Sequence, residues 1–163
     1  MKIIYLLRHA KSSWDDPSAA DIERRLNVRG RRAAQQMGEF AKQNGIDPAI
    51  IICSTAVRTE ETASIFLPAA GINAKMIASE RVYEATAETL IKLLAESDDK
   101  RRSVMLIGHN PGIEGIVFLL TGEREIIPTA TLVTLSIDAE KWCELRPNCG
   151  KLEAIVRPKD LSK

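Results

Sequence analysis

Apolar residues in this chain come in short unbroken runs, separated by stretches in which they recur at helical spacing. Ile3–Leu7, Ile50–Cys53, Val104–Ile107 and Leu132–Ile137 are continuous rather than alternating, as strands buried on both faces are. Lys75–Ala78 and Leu152–Val156 are weaker candidates. Between them, Ala33, Met37, Phe40 and Ala41 share one helical face, with Asn27 placed to cap the helix and Gly45, followed by Pro48, placed to end it. A second helix is expected from Thr55 to about Leu67, with Ala63, Phe66 and Leu67 inward, stopping before Pro68. A third, Thr86 to Ser97, should bury Leu90, Ile91 and Leu94 behind a Thr86 cap, and a shorter fourth runs from Pro111 or Gly112 to Leu120. Strands alternating with helices predict an α/β fold: a single three-layer α/β/α domain over residues 1–163, its mostly parallel sheet covered on both faces. The stretch Lys11–Leu26 has no period and is long for a structureless connection, and such loops are often functional.

Composition narrows the picture by exclusion. At 163 residues the chain is long enough to bury roughly two-thirds of its unfolded surface without a staple. A formal charge of +1 argues against a general nucleic-acid surface, so any basic patch must be local. Cys53, Cys143 and Cys149 are odd in number and unpaired in spacing, which suggests neither a disulfide framework nor a zinc ribbon and points to a reducing cytosol. The opening MKIIYLL is too short for a signal-peptide core or a membrane span. A cytoplasmic protein bound to neither membrane nor nucleic acid is expected.

The candidate chemistry follows from where the strands end. In a parallel α/β sheet, ligands bind at the edge formed by the strand carboxyl ends. His9 and His109, the chain's two histidines, both leave apolar runs at that edge, and so does the turn CSTAVRT. Two chemistries can use such a cluster. His9, His109 and Cys53 could ligate a metal, or a histidine could attack a phosphoryl group while its neighbours neutralise charge. Arg8 and Arg58 favour the second, because two guanidiniums repel a divalent cation but clamp a phosphoryl group. Helices that start just after strands two and four turn their free amides to the same edge.

The segments LLRHAKSSW, RRLNVRGRRAAQQMG, CSTAVRTEETA, VYEATAETL and LIGHNPGIEGIVFLLTG, taken in order, resemble the histidine phosphatase superfamily, and within it the short branch similar to the phosphohistidine phosphatase SixA. The likeness runs from Ile3 to about Leu135. It implies a phosphoglycerate mutase-like fold, no cofactor and no metal. It also implies a phosphoryl-accepting nucleophile at His9 and a phosphate pocket completed by Arg8, Arg58 and His109. By the same likeness Asn110, Ser13, Ser54 and Asn27 are candidate substrate contacts, although Asn27 is equally explained as a cap. Glu84 is a candidate general acid, or else a solvated carboxylate before a helix. The chain departs from the family at Arg25, where relatives often have proline.

Chemistry sets further expectations. The imidazole of His9 attacks phosphorus only when neutral, so a carbonyl or carboxylate must hold its other nitrogen. Arg8, Arg58 and a protonated His109 would then stabilise the equatorial oxygens. By the resemblance, superfamily members that act on small metabolites carry long insertions that roof the site; the little room for them here implies a phosphorylated side chain on another protein, a phosphohistidine, as substrate. The rivals are a small phosphorylated metabolite and a binding module without turnover. Elsewhere, Cys53 reads as a small buried hydrophobe, and Gly38 marks close packing of the first helix. Trp14 could line the pocket mouth or cover the core. Arg24, Arg25, Arg29, Arg31 and Arg32 could attract an acidic protein surface.

Overall fold

The computed structural model describes residues 1–161. Six strands, β1 (Lys2–Arg8), β2 (Ile50–Ser54), β3 (Lys75–Ser79), β4 (Ser103–Gly108), β5 (Leu132–Ile137) and β6 (Gly150–Val156), form one sheet in the order β3-β2-β4-β1-β5-β6. The β1–β4, β2–β4 and β2–β3 pairs are parallel. On the other side β5 runs antiparallel to β1, and β6 antiparallel to β5.

Alternate residues of the central strands feed two cores, which is why these runs are apolar throughout. Ile4, Leu6, Ile52, Val104 and Leu106 enter one core with α3 (Ala87–Ala95) and α4 (Gly112–Thr121). Tyr5, Leu7, Ile51, Cys53, Met105 and Ile107 enter the other with α1 (Val28–Gln43) and α2 (Val57–Ala70). The three expected layers are present.

Local signals place most helix ends. The Asn27 side chain accepts from the Gly30 N–H at 2.8 Å, and the Thr86 hydroxyl from the Thr89 N–H at 3.2 Å, so both caps form as expected. Gly38 lies against α2: a Cβ there would stand 2.6 Å from the Ala69 Cβ and from the Phe66 carbonyl oxygen. Two expectations need correction. The second helix does not stop before Pro68 but continues to Ala70, because Ala70 is buried and the left-handed Gly71 closes the helix by donating to the Leu67 and Pro68 carbonyls. The third helix is shorter than expected and Ile91 is only partly buried at its edge. The weak signal of β3 has a plain cause: it is an edge strand, and Met76 and Ile77 are each 41% exposed. Among the described residues, no helix is long and apolar enough to cross a membrane.

Candidate active site

Because β1, β2 and β4 are parallel and in register, their carboxyl ends meet at one edge. Arg8 pairs with Gly108, and Cys53 with Ile107, so the residues that follow each strand emerge side by side. Backbone contacts then fix the end of β1. Ala130, left-handed at φ 60°, donates its N–H to the carbonyls of Arg8 (3.1 Å) and His9 (3.0 Å). The Ala10 N–H donates to the Thr62 hydroxyl (2.9 Å), which in turn donates to the Arg58 carbonyl (2.6 Å). One threonine thus couples the strand that carries His9 to the helix that carries Arg58. The result is a pocket of about 340 Å³ lined by Arg8, His9, Arg58, His109 and Asn110, with Lys11, Ser12, Arg24 and Trp14 around it.

His9 is 7% exposed and its Nδ1 lies 2.8 Å from the Ala10 carbonyl oxygen. A carbonyl only accepts, so Nδ1 carries the proton and Nε2 keeps its lone pair. Burial, followed by the nearby His109, Arg58 and Arg8, pushes His9 down to about 3 against the opposing Ala10 hydrogen bond, and the ring is neutral at physiological pH. His109, with its ring centroid 5.2 Å from that of His9, shares a 2.8 Å hydrogen bond between Nε2 and the Ser54 hydroxyl. Ser54 is fully buried and also accepts from the Ala56 N–H. Burial, followed by Arg58, pushes His109 down to about 4, which favours the neutral ring; the protonated form expected from sequence is that of the ring facing a phosphoryl group. Its Nδ1 and the Arg8 Nε are buried polar atoms without a hydrogen-bond partner among the described residues.

The arginines are aimed by carbonyls and one carboxylate. The Ile127 carbonyl accepts from Arg8 Nη1 (2.9 Å) and from Asn110 Nδ2 (2.8 Å). Asn110 Nδ2 also donates to Glu114 Oε1, which takes the Ile127 N–H as well, closing a small ring of bonds under Arg8. Arg58 donates Nη1 to the Asp21 carbonyl (2.7 Å) and Nη2 to its carboxylate (3.1 Å). That carboxylate also receives the Tyr83 hydroxyl (2.5 Å) and Arg24 Nη1 (3.3 Å). The Tyr83 bond, with help from Arg58, holds Asp21 below the usual carboxylate range, and in return pushes the Tyr83 phenol up to about 12. Asp21 opens a short 3-10 turn, Asp21–Glu23, and so pins the irregular residues 11–26 beside the pocket.

Of the residues expected from sequence, Arg8, His9, Arg58, His109 and Asn110 come together. Ser54 sits behind His109 and holds it. Ser13 is displaced: its hydroxyl accepts from the Asp15 N–H, and Ser12 lines the pocket instead, accepting from Arg24. Asn27 caps α1 and is absent from the pocket lining. Glu84 is exposed outside that lining, with a left-handed backbone at φ 53°. Trp14 belongs to the pocket mouth, 77% exposed, with the Arg24 guanidinium 3.2 Å above its ring; the buried tryptophan is Trp142. Cys53 points into the core and burial pushes its thiol up to about 12, so it does not join the histidines, and no metal-holding group forms among the described residues. Sequence reasoning missed Asp21, Tyr83, Thr62 and Glu114. Of these only Glu114, four residues after Asn110 at the start of a helix, left a readable spacing.

The profile of the histidine phosphatase superfamily (branch 1) matches residues 4–111. An uncharacterized protein of Mycobacterium leprae is 32% identical over 94% of this chain and all of its own length. Among solved structures, a protein assigned as phosphohistidine phosphatase SixA from Agrobacterium tumefaciens is 29% identical, with a TM-score of 0.83 over 96% of this chain and 98% of that one. The protein histidine phosphatase SixA complexed with tungstate shares the fold, with 18% identity and a TM-score of 0.84 over 98% and 99% of the two chains. The family match, the fold and the cluster of two imidazoles and two guanidiniums agree: the chain belongs to the histidine phosphatase superfamily, branch 1.

Proposed function

We propose that the protein is a phosphatase that works through a phosphohistidine intermediate on His9, and that its substrate is a phosphohistidine side chain of another protein. The observation that carries this reading is the His9 ring, neutral at physiological pH, with Nδ1 held by the Ala10 carbonyl in a pocket shared with Arg8, Arg58 and His109.

The phosphoryl group enters as a dianion whose equatorial oxygens meet the Arg8 and Arg58 guanidiniums and offer acceptors to the unpartnered His109 Nδ1 and Arg8 Nε. His9 Nε2 attacks phosphorus in line; the new N–P bond forms as the substrate P–N bond breaks and its electron pair returns to the departing imidazole. A substrate imidazole protonated on its other nitrogen leaves neutral, so this step needs no strong acid from the enzyme. The exposed position of Glu84 is compatible with that chemistry. Water then adds to phosphorus, the His9–phosphorus bond breaks, and orthophosphate departs with the water's oxygen and protons. Charge brought by the phosphoryl group favours a protonated His109, so a proton follows the substrate in. Ser54, Thr62, Asp21 and the Ile127 carbonyl are read as positioning groups.

Two further observations support a protein substrate: the pocket mouth is open at Trp14, and the Agrobacterium relative carries the same assignment. The chain is read as one cytoplasmic domain, supported by three free cysteines. Phosphate release from a phosphohistidine peptide, an aryl phosphate and small phosphorylated metabolites tests the proposal. The peptide should be the best substrate, and Arg58→Ala should lower its kcat/KM about a hundredfold or more. A faster rate on a small metabolite contradicts the protein substrate. No release from any of them, with binding of a phosphate analogue intact, identifies a binding module instead.

A further inference from the structure

Cations gather beside the pocket beyond what phosphate chemistry needs. Arg8, Lys11, Arg24 and Arg58 line the pocket, and Arg29, Arg32 and Lys159 line a neighbouring hollow between the start of α1 and the C-terminal turn Pro158–Leu161. No carboxylate lines either depression among the described residues. Lys11 of the pocket packs on the start of α1, the helix that supplies Arg29 and Arg32: its carbonyl accepts the Asn27 N–H and lies so close to Gly30 that a Cβ there would stand 2.1 Å away. Seven of the chain's 23 basic residues thus line two hollows linked through the start of α1, on a protein whose formal charge is +1.

The placement of these arginines runs against helix electrostatics. Three of the first five residues of α1 are Arg29, Arg31 and Arg32, at the positive end of the helix dipole, and its first turn has no acidic residue. The helices α2, α3 and α4 each follow the opposite rule, with Glu60, Glu88 and Glu114 in their first turns. Arg31 is offset by Glu61 at 2.9 Å, whereas Arg29, Arg32, Lys11 and Lys159 have no ion pair among the described residues. Val28 at the head of the helix is 63% exposed and Trp14 at the pocket mouth 77%, leaving apolar surface beside the charge.

We infer that this strip is the docking surface for the protein that carries the phosphoryl group, and that the partner's surface is acidic around its phosphorylated residue. The inference rests on the proposed function, since it names the partner of that same site. Charge complementarity of this kind raises encounter rate and selectivity, and it fades with salt. A protein partner is favoured over nucleic acid because the strip starts at the phosphate pocket and includes exposed valine on a helix.

The test compares two phosphohistidine peptides, one flanked by aspartate and glutamate, one by glycine and serine, with free phosphoramidate as a small substrate. Arg29→Glu/Arg32→Glu alters two residues outside the pocket. The wild-type protein should prefer the acidic peptide by about tenfold or more in kcat/KM, and lose the preference at roughly 1 M salt, where the screening length is about 3 Å. The double variant should lose it at low salt too. Its turnover of phosphoramidate should be unchanged and its thermal stability equal or higher, because two cations leave the positive helix end. Equal rates on the two peptides, or a preference that survives in the variant, overturn the inference. Binding is read separately by fluorescence anisotropy with the same peptides, unphosphorylated. If nothing is hydrolysed, salt-sensitive binding of the acidic peptide that the variant loses upholds the surface while the proposed function fails. Absent binding, or tighter binding of a DNA oligonucleotide than of the acidic peptide, rejects the surface.

Discussion

His9 and His109 are ordinary imidazoles that their surroundings keep uncharged. Both are buried, at 7% and 8% exposure, and face guanidiniums, so their proton affinities fall to about 3 and about 4. The sign of the stability effect follows. The unfolded histidines titrate near 6.5 and take up protons that the folded ones refuse. The contribution is complete above about pH 6.5 and is lost as pH falls from there towards 4 for His109 and 3 for His9. Thermal melting between pH 7 and pH 4 should therefore show a smaller acid-side loss in His109→Gln than in the wild type; identical losses would contradict the His109 environment. Ser54 gives a second test at this scale. Ser54→Ala leaves the His109 Nε2 and the Ala56 N–H without their partner, and should lower stability by about 1–3 kcal/mol and kcat by about tenfold or more. Unchanged kcat would mean that His109 needs no holding.

At the scale of elements, the site depends on how α1, α2 and residues 11–26 are fastened. Gly38→Ala introduces a Cβ 2.6 Å from the Ala69 Cβ and should destabilise by about 1–3 kcal/mol, although alanine is the better helix former. Chemical denaturation checks this, and a gain in stability would show that α1 can shift without cost. Asp21→Ala removes the carboxylate shared by Arg58, Arg24 and Tyr83 and should lower kcat/KM about tenfold by letting Arg58 wander. Asp21 itself is half exposed, so the stability lost should be small, about 1 kcal/mol or less. An unchanged kcat/KM would mean that the Asp21 carbonyl alone aims Arg58. These fastenings were hard to read in the sequence. A strand buried on both faces announces itself as IIYLL or VMLIG, but residues 11–26 are held by side-chain bonds without a period, so nothing marked Asp21 over Glu84 or Ser12 over Ser13. Pro68 misled for a related reason: the rule against proline is local, while the burial of Ala70 and the closing Gly71 belong to the packed structure.

At the scale of the molecule, the parallel arrangement of β1, β2 and β4 is what makes a site of residues a hundred positions apart. That much was legible, because strand ends determine which residues share an edge, and Arg8, His9, Arg58 and His109 all follow or adjoin strand ends. The antiparallel entry of β5 beside β1 was not, since a buried strand has the same pattern in either direction. The same edge collects Arg29 and Arg32 at the start of α1 and Lys159 in the C-terminal turn, none of them with an ion pair among the described residues. Transfer of the phosphoryl group to His9 is the step on which the proposed chemistry rests. Acid quenching is too harsh for such a bond, so rapid alkaline quench after mixing with radiolabelled phosphoramidate, followed by peptide mapping, measures it directly. The result predicted is one base-stable, acid-labile phosphoryl group on the peptide containing His9, absent in His9→Ala; label that persists in His9→Ala, or maps to another residue, would contradict it.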